Sequence, residues 1–202
     1  MSGQFPVSPG PKDIEWESFQ PVFSKTSSSG RRHARKLAGH LWRLVLNFDL
    51  MRQSQAAPFM AFYLKNDASE KFYYQWPRDN KGVGLTSETT AAIDAVGGVV
   101  AGSASFVIKN LTPNVVGKFK AGDWINIAST EKVHMIVDDA DTDALGKVTV
   151  TVKPETIDAF TDNDSVTVNK PNFSVSFIGP VHKFKTGSDG VYRIEANLEE
   201  SL

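Results

Sequence analysis

Between Leu41 and Phe48 the chain alternates strictly, placing Trp42, Leu44, Leu46 and Phe48 on one side of an extended backbone and Leu41, Arg43, Val45 and Asn47 on the other. Successive strand residues point to opposite faces, so a slip of one residue would turn an indole and three large apolar groups toward water. The segment is therefore a core strand whose buried face is fixed by its own pattern. The same period returns near the far end. Phe173, Val175 and Phe177 alternate with Asn172, Ser174 and Ser176, and Tyr192, Ile194, Ala196 and Leu198 alternate with Arg193, Glu195, Asn197 and Glu199.

One segment breaks this period. In Ser54–Leu64, residues Ala56, Phe59, Met60 and Tyr63 fall at i, i+3, i+4 and i+7, the spacing of one helix face, with Ser54 as the expected cap and Pro58 near the first turn. Phe72–Trp76 reads as a further strand stopped by Pro77. Upstream, residues 1–15 carry Pro6, Pro9 and Pro11 with Gly3 and Gly10 and are expected to form an extended arm that orders against a partner. Trp16–Lys25 reads as a short imperfect strand, followed by the turn Ser27–Gly30.

The texture changes between Arg78 and Asn169. A stretch rich in Gly, Ser, Thr and Ala gives way to short strands at 106–108, 124–127, 133–137, 148–152 and 166–168. Five short strands at this spacing suit a small closed barrel of the OB or SH3-like kind. Long strands on both sides of such a block imply insertion into a surface loop, where added length costs little. The expected architecture is all-β with one helix: a discontinuous β-barrel or sandwich formed by residues 1–83 with 169–202, and an inserted OB-like barrel at 84–168.

Chemistry is sparse. With no cysteine there is no thiol nucleophile and no thiolate ligand for a metal. None of the G-x-S-x-G, P-loop, H-E-x-x-H or G-x-G-x-x-G patterns occurs, and His33, His40, His134 and His182 are far apart. No catalytic residue, cofactor or metal is expected. His134, out of phase with Val133 and Met135, is expected to face solvent or a partner. In the acidic loop 138–146, Asp139, Asp141 and Asp143 match the first ligand positions of an EF-hand, but Ala144 replaces the required Gly and Val150 the bidentate Glu, so a hairpin loop is the better reading.

The 202 residues carry 22 Lys and Arg against 23 Asp and Glu, so any attraction to nucleic acid or an anionic membrane must be local. One local basic run exists, Arg31-Arg32-His33-Ala34-Arg35-Lys36. Phosphate contact is one use for it, but no aromatic platform is interleaved, and cations on an edge strand also block stray pairing or meet carboxylates across a subunit contact. Arg31, Arg32, Arg35 and Lys36 are thus candidate interface residues. Within 138–164, eight acids face two lysines in the count, which disfavours phosphate there. No apolar run reaches the roughly 20 residues needed to span a bilayer, and the first residues lack a basic and an apolar signal region, so no membrane partner and synthesis in a cytoplasm are expected.

The order of these segments resembles one known family. An aromatic strand, a Ser/Gly turn with an Arg-rich strand, His40-Leu41-Trp42-Arg43-Leu44, and Ala56-Ala57-Pro58-Phe59-Met60-Ala61-Phe62 resemble the start of distal tail proteins (Dit type) of long-tailed bacteriophages. Phe119–Ile125, Val133–Val137, Asp143–Gly146 and Val148–Pro154 resemble the module often inserted in them, and Tyr192–Glu200 resembles their closing strand. The resemblance implies a non-enzymatic virion protein. It would assemble as a homo-hexameric ring between the tail tube protein and the baseplate hub or tail-tip protein, with contacts to side-fibre or receptor-binding proteins and genomic DNA only passing through the lumen. An alternative is a carbohydrate-binding module contacting host glycans through the inserted domain, with Trp124 as its contact and the Tyr73/Tyr74 pair as a second aromatic surface.

Overall fold

The computed structural model of the chain describes residues 3–37, 39–66, 68–95, 98–128, 130–179, 184–187 and 190–202. His182 lies outside the described residues. The backbone is mostly β, with one α-helix and a nearly closed six-strand barrel. It divides into two compact units, Met1–Phe72 with Val175–Ser201, and Tyr73–Ser174 with Leu202. Among the described residues no helix is long and apolar enough to cross a membrane.

The first unit opens with a long antiparallel ribbon. Strand β1 (Asp13–Phe19) pairs with β4 (Leu41–Asn47), and beyond it β2 (Val22–Thr26) pairs with β3 (Arg32–Lys36). The single strand expected over Trp16–Lys25 is thus two. Pro21 has no N–H for a ladder, and at the break its carbonyl accepts from Leu37 N (2.9 Å) while the Gln20 amide donates to Leu37 O (2.5 Å). At the far end Ser27–Gly30 turns the chain as expected, with Gly30 in the left-handed region (φ 77°) and its N–H on Ser27 O at 2.9 Å.

Helix α1 (Gln53–Lys65) follows. Its first turn is closed by Arg52, whose backbone N–H donates to Gln55 Oε1 at 3.1 Å, so Ser54 lies inside the helix rather than capping it. The apolar face behaves as the spacing requires: Ala56, Phe59 and Tyr63 are buried and Met60 half-buried. Strand β5 (Phe72–Gln75) carries the chain into the second unit.

There, β6 (Ala92–Ile93), β7 (Ser105–Lys109), β8 (Trp124–Ile127), β9 (Val133–Ile136), β10 (Val148–Lys153) and β11 (Val166–Thr167) form a sheet in the order β11-β8-β9-β10-β7-β6, each neighbouring pair antiparallel. Two 2.8 Å bonds, Ile93 N to Asp164 O and Val166 N to Ala91 O, bring its ends together. Ile93, Ile108, Phe119, Ile125, Ile127, Ile136, Val150 and Val152 fill the interior. A sixth strand, β6, joins the five expected.

Strand β12 (Asn172–Phe177) returns the chain to the first unit, where β13 (Lys185–Thr186) pairs with β14 (Tyr192–Arg193) and β15 (Glu195–Glu200) enters the main sheet, ordered β1-β4-β15-β12-β5. Register makes rows across β1, β4 and β15: Ile14–Leu46–Ala196 and Trp16–Leu44–Leu198 on the core side, Asp13–Asn47–Glu195, Glu15–Val45–Asn197 and Glu17–Arg43–Glu199 on the other. The 41–48 alternation is therefore realised in an interior strand of the sheet, between β1 and β15.

The described part of the N-terminal arm is anchored at Phe5. Phe5 is 1 % exposed, its ring among those of Phe59 (5.7 Å), Phe62 (5.4 Å) and Phe72 (5.9 Å), with Phe48, Tyr63 and Phe177 within 6.5 Å. This segment orders against its own chain, because an aromatic cluster offers the ring more apolar contact than an extended backbone could find alone.

Candidate assembly surface

Every residue of β2 and β3 is exposed. Pairing of Phe23 with Arg35 and Lys25 with His33 puts these four on one face of the hairpin, and pairing of Val22 with Lys36, Ser24 with Ala34 and Thr26 with Arg32 puts those six on the other. The basic run is thus not one patch. Arg35 belongs to one face, Arg32 and Lys36 to the opposite face, and Arg31 to the turn. From Gln20 to Leu37 there are five cations, with Lys25 the fifth, and no carboxylate. Apolar groups stand among them in water: Phe23 is 62 % exposed, and Val22 and Leu37 are also exposed.

Strand β1 is the opposite in charge. It forms one edge of the main sheet, bonded among the described residues only to β4, and is exposed along its length apart from half-buried Ile14. Asp13, Glu15 and Glu17 point to the face that also carries Glu195 and Glu199, where Arg43 is the cation of the three rows. Arg43 is occupied: its Nε donates to Glu199 Oε2 at 2.6 Å, and its guanidinium lies 4.4 Å from the Phe19 ring centroid. On the core side Trp16 meets Trp42 edge-on at 5.8 Å yet remains 45 % exposed. Asp13, Glu15 and Glu17 were absent from the expected site. Their signal was available as alternation of acid with Ile14, Trp16 and Ser18.

Trp124 is 4 % exposed, its indole packed against Trp76 (5.4 Å) and Phe173 (5.5 Å). A sugar stacks on a free ring face, and this ring has none to offer; Tyr74 is buried as well. Trp124 is a packing residue, which corrects its expected glycan contact. His134 is likewise fully buried instead of facing out. Its Nδ1 sits 2.8 Å from Pro154 O, a carbonyl that can only accept, so the proton is on Nδ1. Burial, reinforced by the Lys132 charge and opposed by the Pro154 bond, lowers its pKa to about 4 and keeps the ring neutral.

The acidic loop resolves into local tethers. Asp139 accepts from Lys120 Nζ (2.7 Å) and Ala121 N (2.9 Å), Asp141 from Gly117 N (2.6 Å), and Asp143 from Leu145 N and Lys147 N (both 2.8 Å). These carboxylates hold turns, including the one at Gly146, where a Cβ would lie 2.2 Å from Leu111 O. Deeper in the barrel unit, Lys118 forms an ion pair with Glu88, which also accepts from Thr112 N (3.0 Å) and Oγ1 (2.7 Å). Burial pushes the Glu88 carboxyl up, but Lys118 and Thr112 together outweigh it and hold it below the usual range.

A cavity of about 540 Å³ in the first unit is lined by Phe48, Tyr63 and Phe177 with Lys185, Arg193 and Glu195. Burial raises the Tyr63 pKa, and the hydroxyl donates to Glu195 O at 3.1 Å, so this phenol ties helix to sheet rather than exchanging protons. No protein-family model matches the chain, and no curated protein matches it.

Proposed function

We propose that the chain is a non-enzymatic, self-assembling virion component, a distal tail protein that forms a ring, expected to be a hexamer, between the tail tube and the baseplate hub or tail tip of a long-tailed bacteriophage. The observation that carries this reading is the ribbon from Asp13 to Asn47, whose distal half, β2 and β3, is exposed at every residue. A hairpin that buries none of its apolar groups in its own chain gains little for the fold, and isolated two-stranded ribbons are marginal in water. Such an element makes sense where a neighbour covers it.

The order of segments noted in the sequence gives the assembly its setting, and a nearly closed six-strand barrel in the second unit supports the presence of a small barrel module. Attachment of side-fibre or receptor-binding proteins would fall to the barrel unit.

Electron microscopy of the purified chain tests the reading. Closed rings of uniform diameter are expected, together with the protein's presence in purified tail particles. A chain that stays monomeric at high concentration and is missing from tails refutes it.

A further inference from the structure

Resting on the assembly reading, we propose that the contact between neighbours is head to tail, the basic β2–β3 hairpin of one copy docking on the acidic β1 edge of the next.

Three properties of the two surfaces match. The first is backbone. Among the described residues β1 is paired on one side only, by β4, and β3 on one side only, by β2, so each presents an open edge of N–H and C=O groups. Open edges of this kind pair with another chain unless something blocks them. Charge is the second property. The hairpin contributes Lys25, Arg31, Arg32, Arg35 and Lys36 with no acid, and β1 contributes Asp13, Glu15 and Glu17, backed by Glu195 and Glu199. Among the described residues none of the five hairpin cations is engaged in an ion pair. The third is apolar surface, with Val22 and Phe23 exposed on the hairpin and Trp16 and Phe19 exposed on β1.

One copy cannot satisfy itself. The hairpin continues the β1–β4 ribbon beyond Gln20–Pro21, so its five-residue strands lead away from β1 by roughly 3.4 Å per residue. The same charges that attract the next copy also set polarity. Hairpin against hairpin and β1 against β1 are both like-charged, which disfavours a symmetric contact through either patch alone. Two different patches joined repeatedly generate a ring or an open filament, the heterologous arrangement.

Charge reversal on each side, followed by mixing, tests this. One variant carries Arg32→Glu, Arg35→Glu and Lys36→Glu; the other carries Asp13→Lys, Glu15→Lys and Glu17→Lys. All six positions are solvent-exposed, and circular dichroism checks that both variants fold. Mass photometry and sedimentation velocity are expected to show wild-type assemblies, a roughly tenfold or greater weakening in either variant alone, and recovery in the equimolar mixture, where every contact again joins opposite charges. If a variant misfolds, the neutral set Arg32→Gln, Arg35→Gln and Lys36→Gln serves in its place and should weaken assembly more at low salt than at high. Assembly of wild-type strength in either reversed variant overturns the proposal, as does folded variants' failure to recover on mixing, or growth that stops at a dimer. Hairpin-dependent binding of a random-sequence DNA duplex, with assembly unaffected by the hairpin charges, also overturns it and assigns the hairpin to nucleic acid. A wild-type chain that never assembles refutes the assembly reading instead, so the two failures are distinguishable.

Discussion

Replacing Phe5 with alanine separates an anchored arm from a loose one. The ring is 1 % exposed and lies among the rings of Phe48, Phe59, Phe62, Tyr63, Phe72 and Phe177, with centroids between 5.4 and 6.5 Å. Removing a fully buried Phe costs about 3–5 kcal/mol where the cavity cannot collapse. Two effects pull the figure down. The rings of Phe62 and Phe72, 5.1 Å apart, can shift toward the space, and a released arm regains backbone entropy of roughly 1–2 kcal/mol per residue freed. A net loss of about 3 kcal/mol is expected. For a unit of about 100 residues that corresponds to a fall in melting temperature on the order of 12–24 °C.

Denaturant titration followed by tryptophan fluorescence measures the loss, and hydrogen exchange localises it. Trp16 and Trp42 report on the first unit and Trp76 and Trp124 on the second. Faster exchange should concentrate at the end of β4 and in α1, since Phe48, the residue after β4, and Phe59 and Tyr63 of α1 surround the missing ring. Phe5→Leu, which keeps most of the volume, should cost less than about 1.5 kcal/mol. A Phe5→Ala variant within about 0.5 kcal/mol of wild type, the range of a surface change, refutes the anchoring argument.

Two further substitutions probe the barrel unit. Lys118→Met leaves the Glu88 carboxylate buried with only Thr112 for support and should cost about 3–5 kcal/mol at pH 7, most of it recovered by adding Glu88→Gln. In wild type the lowered Glu88 pKa adds stability that is complete above the ordinary carboxylate value and is lost as pH falls through the folded value; in Lys118→Met protonation relieves the buried charge, so the deficit should shrink toward pH 4, as urea titrations at both pH values would show. His134, ordinarily near 6.5 and lowered to about 4, makes the unfolded chain bind a proton that the folded one refuses, so stability falls as pH drops from 6.5 to 4, by roughly 3 kcal/mol. His134→Asn retains a donor for Pro154 O without titrating, and a variant whose pH profile in that window parallels wild type would show that His134 is not responsible.

What the sequence disclosed depends on whether a residue's environment is made locally. The 41–48 strand was legible because alternation and burial coincide in a strand with β1 on one side and β15 on the other. Strands β8 and β10 were legible for similar reasons. β6 was not, since two residues in a Gly- and Ala-rich stretch become a strand only through β7 and residues 163–166. His134 misled because alternation separates two faces without saying whether both are covered; Val133, His134 and Ile136 are all fully buried. Trp124, next to buried Ile125, failed identically. Phe5 gave no local sign, its pocket being assembled from residues as far apart as Phe48 and Phe177. The basic run was visible, but its division between two hairpin faces needed the β2–β3 register.

Near-neutrality also changes meaning once charge is placed on the structure. The chain sums to −1 while Gln20–Leu37 alone carries +5, so the remainder carries −6. Much of the acid in the barrel unit is committed internally: Asp139, Asp141 and Asp143 hold turns, Asp123 accepts from Lys81, Gly82 and Lys120 N–H groups, and Glu88 is paired with Lys118. Carboxylates already bonded to backbone have less to offer a partner. Those of β1 stand at a sheet edge instead, in the unit that carries the hairpin cations. Exposed charges act over about 10 Å at 0.1 M salt, so association driven by them is short-ranged, salt-sensitive and dependent on pattern rather than total. A chain with no net field but two opposite strips on one ribbon therefore has little attraction for nucleic acid in bulk, and what its surface attracts is decided by where those strips stand rather than by their sum.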